Sequence, residues 1–496
     1  MLLHELLQRF DPELALDRWP DVSVSGIQED SRKIKIGDIF VARGGTQING
    51  SQFALDAVAN GAVAVIAENT IPNIRVPQII VPKSSVALSV LSQLFFDDPT
   101  RVLPTIGITG TNGKTTTAYI IKHLLAVIGI RCGLIGTVEI DDGKSVRDAQ
   151  MTTPGACELA ELLATMRDSK CGACAMEVSS HAMDQDRVAG MQFAAAGFTN
   201  LTGDHLDYHK TMEHYASAKG RLFEMLDKNA VAILNGGSDW SSWMERKCQG
   251  RILRFGFEKE FDYRAMNCQS DSRGTRFELQ TPRGNVPIHM QLIGRHNIEN
   301  ALLAAALVSE AFGMNPEQIA SGLASTIGAP GRLQPVQQGQ PFSVLVDYAH
   351  TDDALENVLK ALKPLTHGKL RVLFGCGGNR DESKRPRMAA IAEKLADVVY
   401  VTSDNPRKES AESIIDMVSK GFSGQKIKPV YRQVDRRAAI EQVLYDANEG
   451  DVVLLAGKGH ENYQIIGEEK RHFDDLEEAR RVLTLRFPQQ KKTTHS

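Results

Sequence analysis

The stretch "TIGITGTNGKTTT", residues 105–117, limits what this chain can fold into more than any other part of it. An apolar, β-branched run meets a turn holding Gly110 and Gly113, and Ile121, Leu124, Leu125 and Ile128 then recur at i, i+3, i+4 and i+7. That pattern predicts a strand, a glycine turn and a helix. The glycines let the backbone turn tightly and aim N–H groups at an anion, Lys114 adds a mobile positive charge, and Thr115 or Thr116 offers a hydroxyl to Mg²⁺. The spelling is unusual. Ile108 stands where a P-loop normally has its first glycine, so the motif is the shortened G-x-x-G-K-[ST] form. The lesser alternative is a plain glycine turn.

A chain of 496 residues is too long for one core, and length alone predicts about three domains. A net charge of -4 supplies no basic field for nucleic acid or acidic lipid. Glu5 and Asp11 interrupt the N-terminal apolar pattern, so "MLLHELLQRFDPELALDRW" is expected to be an amphipathic helix and not a signal peptide. No apolar run approaches the ~18 residues of a membrane span. Seven cysteines without framework spacing point to a reducing cytoplasm, and the single C-x-x-C at Cys171 and Cys174 lacks a partner pair for a metal.

Three blocks follow one another, with expected limits at residues 1–100, 101–332 and 333–496. The first holds short strand-like runs, "GDIFVAR" and "GAVAVIAE", and a helical pattern that ends at "QLFFDDPTR", where Asp-Pro marks a hinge. The third alternates "FSVLVDYAH", "LRVLFGCGGNRD", "ADVVYVTSDNPR" and "GDVVLLAGKGHE" with helical stretches, which predicts a parallel α/β sheet. In each run the polar cluster follows the apolar one, so polar groups gather at the carboxyl ends of the strands, where such sheets place ligands.

Several further residues carry two readings. Glu177 in "AMEVSSH" is either a solvated turn carboxylate or part of an Mg²⁺ shell. Lys219 interrupts the helical stripe of Tyr215, Leu222 and Leu226, so it either snorkels or is desolvated for covalent chemistry at its amine. His205, Asp207 and His209 suit a metal or a hydrated loop. Asn297 and Asn300 open an alanine-rich helix, as caps or as readers of an adenine edge.

Taken in order, "GTNGKTTT", "EVSSHAMDQDR", "NLTGDHLDYH", the helix of Lys219, "GRHNIENALLA", "PGRLQPV" and "DYAHTDDALENVL" resemble the Mur ligase family, ATP-dependent amide-forming enzymes of peptidoglycan precursor synthesis. "SDNPRKES" and "EDSRKIKIGDIFVARGGTQINGSQF" are similar to the branch that adds meso-diaminopimelate to UDP-N-acetylmuramoyl-L-alanyl-D-glutamate through an acyl phosphate. The N-terminal block sets it apart from folylpolyglutamate synthase, a relative making similar bonds. The resemblance implies three α/β domains: an N-terminal UDP-substrate domain, a central P-loop domain and a C-terminal Rossmann-like domain. It assigns ATP to Gly110, Thr111, Asn112, Gly113, Lys114, Thr115, Thr116, Asn297, Arg332 and Asp347. It assigns Mg²⁺ to Thr115, Glu177, His205 and a carbamate on Lys219, with Lys114, Glu177, His205 and Lys219 as the catalytic set. The uridine end would contact Glu29, Ser31, Thr46, Gln47 and Ile48, the sugar and peptide Thr152, Thr153, Ser179, Gln185 and Arg187. Diaminopimelate would meet Arg380, Asp404, Asn405, Pro406, Arg407, Gly457 and Glu461. Its partners would be these small molecules alone, with no nucleic acid and no membrane span, and the protein is expected to be a cytoplasmic monomer. Two positions depart from the family pattern: Asp352 stands where proline is usual, and Gly203 where arginine is.

Overall fold

Continuous apolar runs become strands buried on both faces, and their order decides where the polar ends collect. The computed structural model describes residues 1–17, 19–44, 49–271, 274–424 and 428–488. Four parallel strands, β1 (Gly26–Gln28), β2 (Asp38–Val41), β3 (Ala64–Ala67) and β4 (Gln78–Ile80), form the first sheet in chain order. The next strands are β5 (Thr105–Thr109), β6 (Cys132–Ile135), β7 (Glu139–Asp141), β8 (Val146–Asp148), β9 (Ala173–Glu177), β10 (Ala195–Phe198), β11 (Val231–Asn235) and β12 (Arg251–Gly256). They lie in the order β12-β11-β10-β5-β9-β6-β7-β8, parallel except for β7 and β8. The strand of the glycine loop, β5, is thus central and wholly buried.

After a meander of β13 (Tyr263–Asp271), β14 (Gly274–Thr281) and β15 (Gly284–Met290) comes a sheet of β16 (Gln334–Pro335), β17 (Ser343–Asp347), β18 (Leu370–Phe374), β19 (Val398–Val401), β20 (Val430–Arg432) and β21 (Val452–Ala456). Its order is β16-β17-β21-β18-β19-β20, parallel apart from β16.

The chain divides into two compact units, residues 1–264, 280–284 and 299–319 in one, residues 265–279, 285–298 and 320–496 in the other. The first sheet shares a unit with the glycine-loop sheet. One physical reason is Asp186, a buried carboxylate in the left-handed backbone region. It accepts from Ser85 Oγ at 2.7 Å and pairs with Lys83 at 2.6 Å and with Arg221, while its carbonyl accepts from Ser89 Oγ at 2.5 Å.

The N-terminal helix is shorter than the sequence pattern suggests. It covers Leu3–Phe10 and stops as Asp11 turns extended ahead of Pro12, which disfavours helical geometry in the residue before it. All seven cysteines are free thiols; Cys171 and Cys174 are buried, and burial raises both pKa values. Among the described residues no helix is long and apolar enough to cross a membrane.

Candidate active site

β5 carries the chain to the sheet's carboxyl edge, and the helix Lys114–Val127 starts after a loop of four residues, 110–113. Gly110 (φ +140°) and Gly113 (φ +88°) occupy backbone regions that strain other residues. Space is as restrictive: a Cβ on Gly110 would lie 1.9 Å from Thr199 Oγ1, and one on Gly113 2.3 Å from Asn300 Oδ1. Asn200 clamps the loop, its carbonyl accepting from Thr111 N at 2.9 Å and its Oδ1 from Asn112 N at 3.0 Å. No side chain caps the helix, so its positive N-terminal end suits an anion. Lys114 Nζ donates to the carbonyls of Gly110 (3.0 Å) and Thr111 (2.8 Å), folded back over the cradle.

Glu177 ends β9 and is buried rather than solvated. Its Oε2 accepts from Thr115 Oγ1 at 3.0 Å and Thr137 Oγ1 at 3.1 Å, and its Oε1 from Thr137 N at 2.8 Å. From there a chain of bonds leads outward. Thr152 Oγ1 meets Thr137 Oγ1 at 3.1 Å, and Thr153 Oγ1 accepts from Ser179 N and donates to the Glu177 carbonyl. Arg187 donates to Thr153 O and to Gln185 Oε1, both at 2.7 Å. Thr152, Thr153, Ser179, Gln185 and Arg187 therefore line one continuous path from the cradle. Burial, and then Arg43, lower the Arg187 pKa; Arg43 itself pairs with Glu29 at 3.1 Å. Ser31 is buried nearby in sequence, its carbonyl accepting from Asn60 Nδ2 at 3.0 Å. Thr46, Gln47 and Ile48 lie outside the described residues.

Lys219 does not snorkel. It sits on the helix Met212–Glu224 at 1% exposure, and Nζ donates to Gly110 O at 2.7 Å, 4.5 Å above the Tyr215 ring. Burial, and then the neighbouring Lys114 charge, push its pKa well below the ordinary lysine value. Two lysines from different helices thus converge on one loop carbonyl. His205 keeps other company: it is half-exposed at φ +53°, 3.5 Å from Asp204 and 4.9 Å between ring centres from His181. Among the described residues, no three His, Cys, Asp or Glu side chains are grouped to hold a metal. His209 is buried with Nε2 2.9 Å from Ser180 Oγ, and burial lowers its pKa.

In the second unit, Asn297 Nδ2 donates to Ile293 O at 2.9 Å. Asp347, at the end of β17, accepts from Leu333 N at 2.7 Å and Ala349 N at 2.8 Å; burial still raises its pKa against the opposing pull of Arg332. Arg332 lies 5.0 Å from the Tyr348 ring centre, its Nε buried without an acceptor. Three loops at the carboxyl ends of β18, β19 and β21 bring the other predicted residues together. Arg407, at φ +52°, donates through Nη1 to Gly378 O (2.9 Å) and Asn405 O (3.4 Å). Its Nε and Nη2 meet no protein acceptor among the described residues. Asn405 Nδ2 donates to Glu461 Oε2 at 2.8 Å, and its Oδ1 accepts from Ile465 N at 2.9 Å. Gly457, at φ +112°, leaves room beside Asp404, while Arg380 is exposed. Pro406 O would stand 1.9 Å from a Cβ on Gly378, so that turn too needs glycine.

Sequence reasoning missed Arg43, Asn200, Asp186 and the pair of buried Arg385 with half-buried Glu409 at 2.9 Å, which braces the Gly377 and Glu409 loops. It also missed Lys458, whose only signal was a lysine inside the glycine cluster "GKGHE". The departure at Asp352 is explained: at a helix start it pairs with Arg387 at 2.5 Å.

Comparison with known proteins places the chain. The Mur ligase middle domain matches residues 108–308, the Mur ligase glutamate ligase domain residues 331–459, and the Mur ligase family catalytic domain residues 23–96. The chain is 43% identical over 489 residues to a UDP-N-acetylmuramoyl-L-alanyl-D-glutamate–2,6-diaminopimelate ligase of Bacillus velezensis, covering 97% of this chain and 99% of that one. It is 42% identical over 494 residues to the ligase of that name from Gloeobacter violaceus, covering 98% and 99%. A solved structure of a ligase so named superposes with a TM-score of 0.74 at 34% identity, covering 97% and 98%. MurF ligase of Thermotoga maritima in complex with ADP shares the fold at 19% identity, with a TM-score of 0.58 over 93% of this chain and 99% of that one.

Proposed function

The chain belongs to the Mur ligase family, and on that basis we propose that it is the ATP-dependent ligase joining meso-diaminopimelate to UDP-N-acetylmuramoyl-L-alanyl-D-glutamate in the cytoplasm. Its three domains are set at residues 1–100, 101–332 and 333–496. The geometric observation that carries the chemistry is the convergence of Lys114 and Lys219 on Gly110 O, beside the Thr115–Glu177 pair. Carboxylates are poor electrophiles. In the proposed reaction the γ-phosphoryl group of ATP passes to the D-glutamyl γ-carboxylate, the diaminopimelate amine attacks the acyl carbon, and phosphate leaves as the amide forms.

The chain's own contribution is positioning and charge. The glycine cradle holds the phosphates with backbone N–H groups, and Lys114 exchanges its loop carbonyls for the transferring phosphoryl oxygens. The cradle fits ATP because the helix Lys114–Val127 begins uncapped, its positive end open to an anion, and because Gly110 and Gly113 hold backbone angles that turn the loop around it. Thr115 Oγ1 and Glu177 Oε2, 3.0 Å apart, are the hard oxygen donors that Mg²⁺ takes, and the ion, when bound, neutralises phosphate charge. Lys219, whose amine burial and then the Lys114 charge make easier to deprotonate, would add as the free amine to CO₂ and lose a proton, giving a carbamate anion near the cradle. The path from Thr152 to Arg187 supports its assignment to the sugar and peptide of the substrate. Arg407, with two nitrogens unused by the protein, would take the distal carboxylate of diaminopimelate.

The test is ADP release with the uridine dipeptide and a panel of amino acids. Release that depends on diaminopimelate supports the proposal; release that ignores the acceptor sinks it.

A further inference from the structure

Lys458 is a wholly buried lysine that the proposed mechanism leaves without a task. It follows β21 and lies between two carboxylates, with Nζ 3.6 Å from Asp404 Oδ1 and 3.5 Å from Glu461 Oε2. It also donates to Tyr463 O. Lys458 and Asp404 are buried and Glu461 is half-buried; burying charges is costly unless something is gained, and replacing such groups by apolar ones is often neutral or stabilising. The surroundings suggest what is gained. Asp404 Oδ1 is buried and receives no hydrogen bond: the Lys458 ammonium, 3.6 Å away, balances it by charge but stays beyond hydrogen-bond reach, which leaves the oxygen able to accept an incoming N–H. Arg436, the other buried cation here, is matched by Asp475 at 2.5 Å. Two carboxylates against one ammonium therefore leave a single negative charge around the unfilled acceptor.

We propose that Lys458 is a positioning residue for the acceptor amino acid: its ammonium keeps Asp404 and Glu461 both ionised and aimed at the distal ammonium group of diaminopimelate. The inference rests on the functional reading above, in which Asp404 and Glu461 face the acceptor. Without Lys458, two carboxylates sharing a buried site would not both stay charged, because each disfavours ionisation of the other. Glu461 would give way, since burial and then Asp404 already raise its pKa, with Lys458 and Asn405 pulling the other way. The groups that face Glu461 are Asp404, Lys458, Asn405, Tyr348 and Arg436, and of these only Lys458 and Arg436 are cationic. A protonated Glu461 cannot balance an ammonium group, and raising the pH restores its charge.

The experiment compares the wild-type enzyme with Lys458→Met and Lys458→Arg from pH 7 to pH 9, measuring KM for each of the three substrates. Losing one charged hydrogen-bonding partner corresponds to a roughly 10- to 100-fold change. The expected result is a rise of that size in KM for diaminopimelate at pH 7 in Lys458→Met, narrowing towards the wild type by pH 9. KM for ATP and for the uridine dipeptide stays level, and Lys458→Arg, which keeps the charge, stays near wild type. Should the methionine variant fail to fold, Lys458→Gln, which keeps a donor for Tyr463 O, gives the same reading. An unchanged KM for diaminopimelate, or a rise shared by all substrates without pH dependence, would overturn the proposal. A wild-type enzyme inert with diaminopimelate would sink the functional reading and this inference with it, so the two failures are told apart.

Discussion

The phosphate cradle and the acceptor loops stand at the same place in two similar sheets, beyond the carboxyl ends of parallel strands, yet they are built in opposite ways. The cradle is one continuous stretch between Thr109 and Lys114, shaped by two glycines and clamped by backbone hydrogen bonds. The acceptor loops come from β18, β19 and β21, and they are held by buried cations paired with carboxylates: Arg385 with Glu409, Arg436 with Asp475, and Lys458 with Asp404 and Glu461. A phosphate asks for a field of N–H groups, which any tight turn can supply. A zwitterionic amino acid asks for separate charges at set distances, which needs several chain segments and internal counter-ions.

If the acceptor loops recognise charge at fixed positions, discrimination there should give the largest effect of all. Diaminopimelate should be preferred over L-lysine by roughly 10⁴-fold in kcat/KM, because lysine leaves Arg407 without its anion in a closed site. Arg407→Ala should lose most of that preference; equal use of lysine by the unaltered enzyme would end the contrast between the two regions. The cradle should respond in turnover instead. Lys114→Ala is expected to lower kcat by roughly 10³-fold with an unchanged fold by circular dichroism, since it removes a donor aimed at transferring charge. Near-normal turnover would refute the cradle's role.

Backbone effects come next. Gly113→Ala places a Cβ against Asn300 Oδ1 at positive φ and should cost about 1–3 kcal/mol in denaturant unfolding, with weaker ATP binding. Lys219→Met should be inactive yet more stable. The sign follows from the depressed pKa: between the folded value and about 10.5 the unfolded chain binds a proton that the folded chain does not, so wild-type stability rises with pH through that window. Methionine removes this penalty, and melting at pH 7.5 without CO₂ should occur a few degrees higher, with a flatter pH dependence. If Lys219 takes a carbamate, bicarbonate will raise the wild-type melting temperature and leave that of Lys219→Met unmoved. The smallest effect is expected at Gly203, where an added Cβ meets nothing within 4 Å. Gly203→Arg, which restores the residue usual in the family, should stay within about 0.5 kcal/mol of wild type.

The sequence by itself determined whatever is local or repeated along the chain: the strand, glycine turn and helix at residues 105–127, the parallel character of the C-terminal sheet, and the gathering of polar groups at its strand ends. Each follows from backbone rules acting over a few residues, so "GTNGK" could be interpreted without its surroundings. The same rules over-extended the first helix, because the apolar pattern continues past Pro12 while the backbone does not. Only the tertiary structure decided the ambiguous side chains. Glu177 could have been solvated and is buried on Thr115 and Thr137; Lys219 could have reached water and is held on Gly110 O; His205 stands half-exposed beside Asp204. Asp186 and Arg43 gave almost no signal because their partners lie on other segments, and Lys458 gave little because, although Glu461 is three residues on, its second carboxylate, Asp404, comes from another strand end. Whether a charged side chain is solvated, paired or desolvated depends on which strand ends meet, and strand order in a parallel sheet is set by packing across the whole chain.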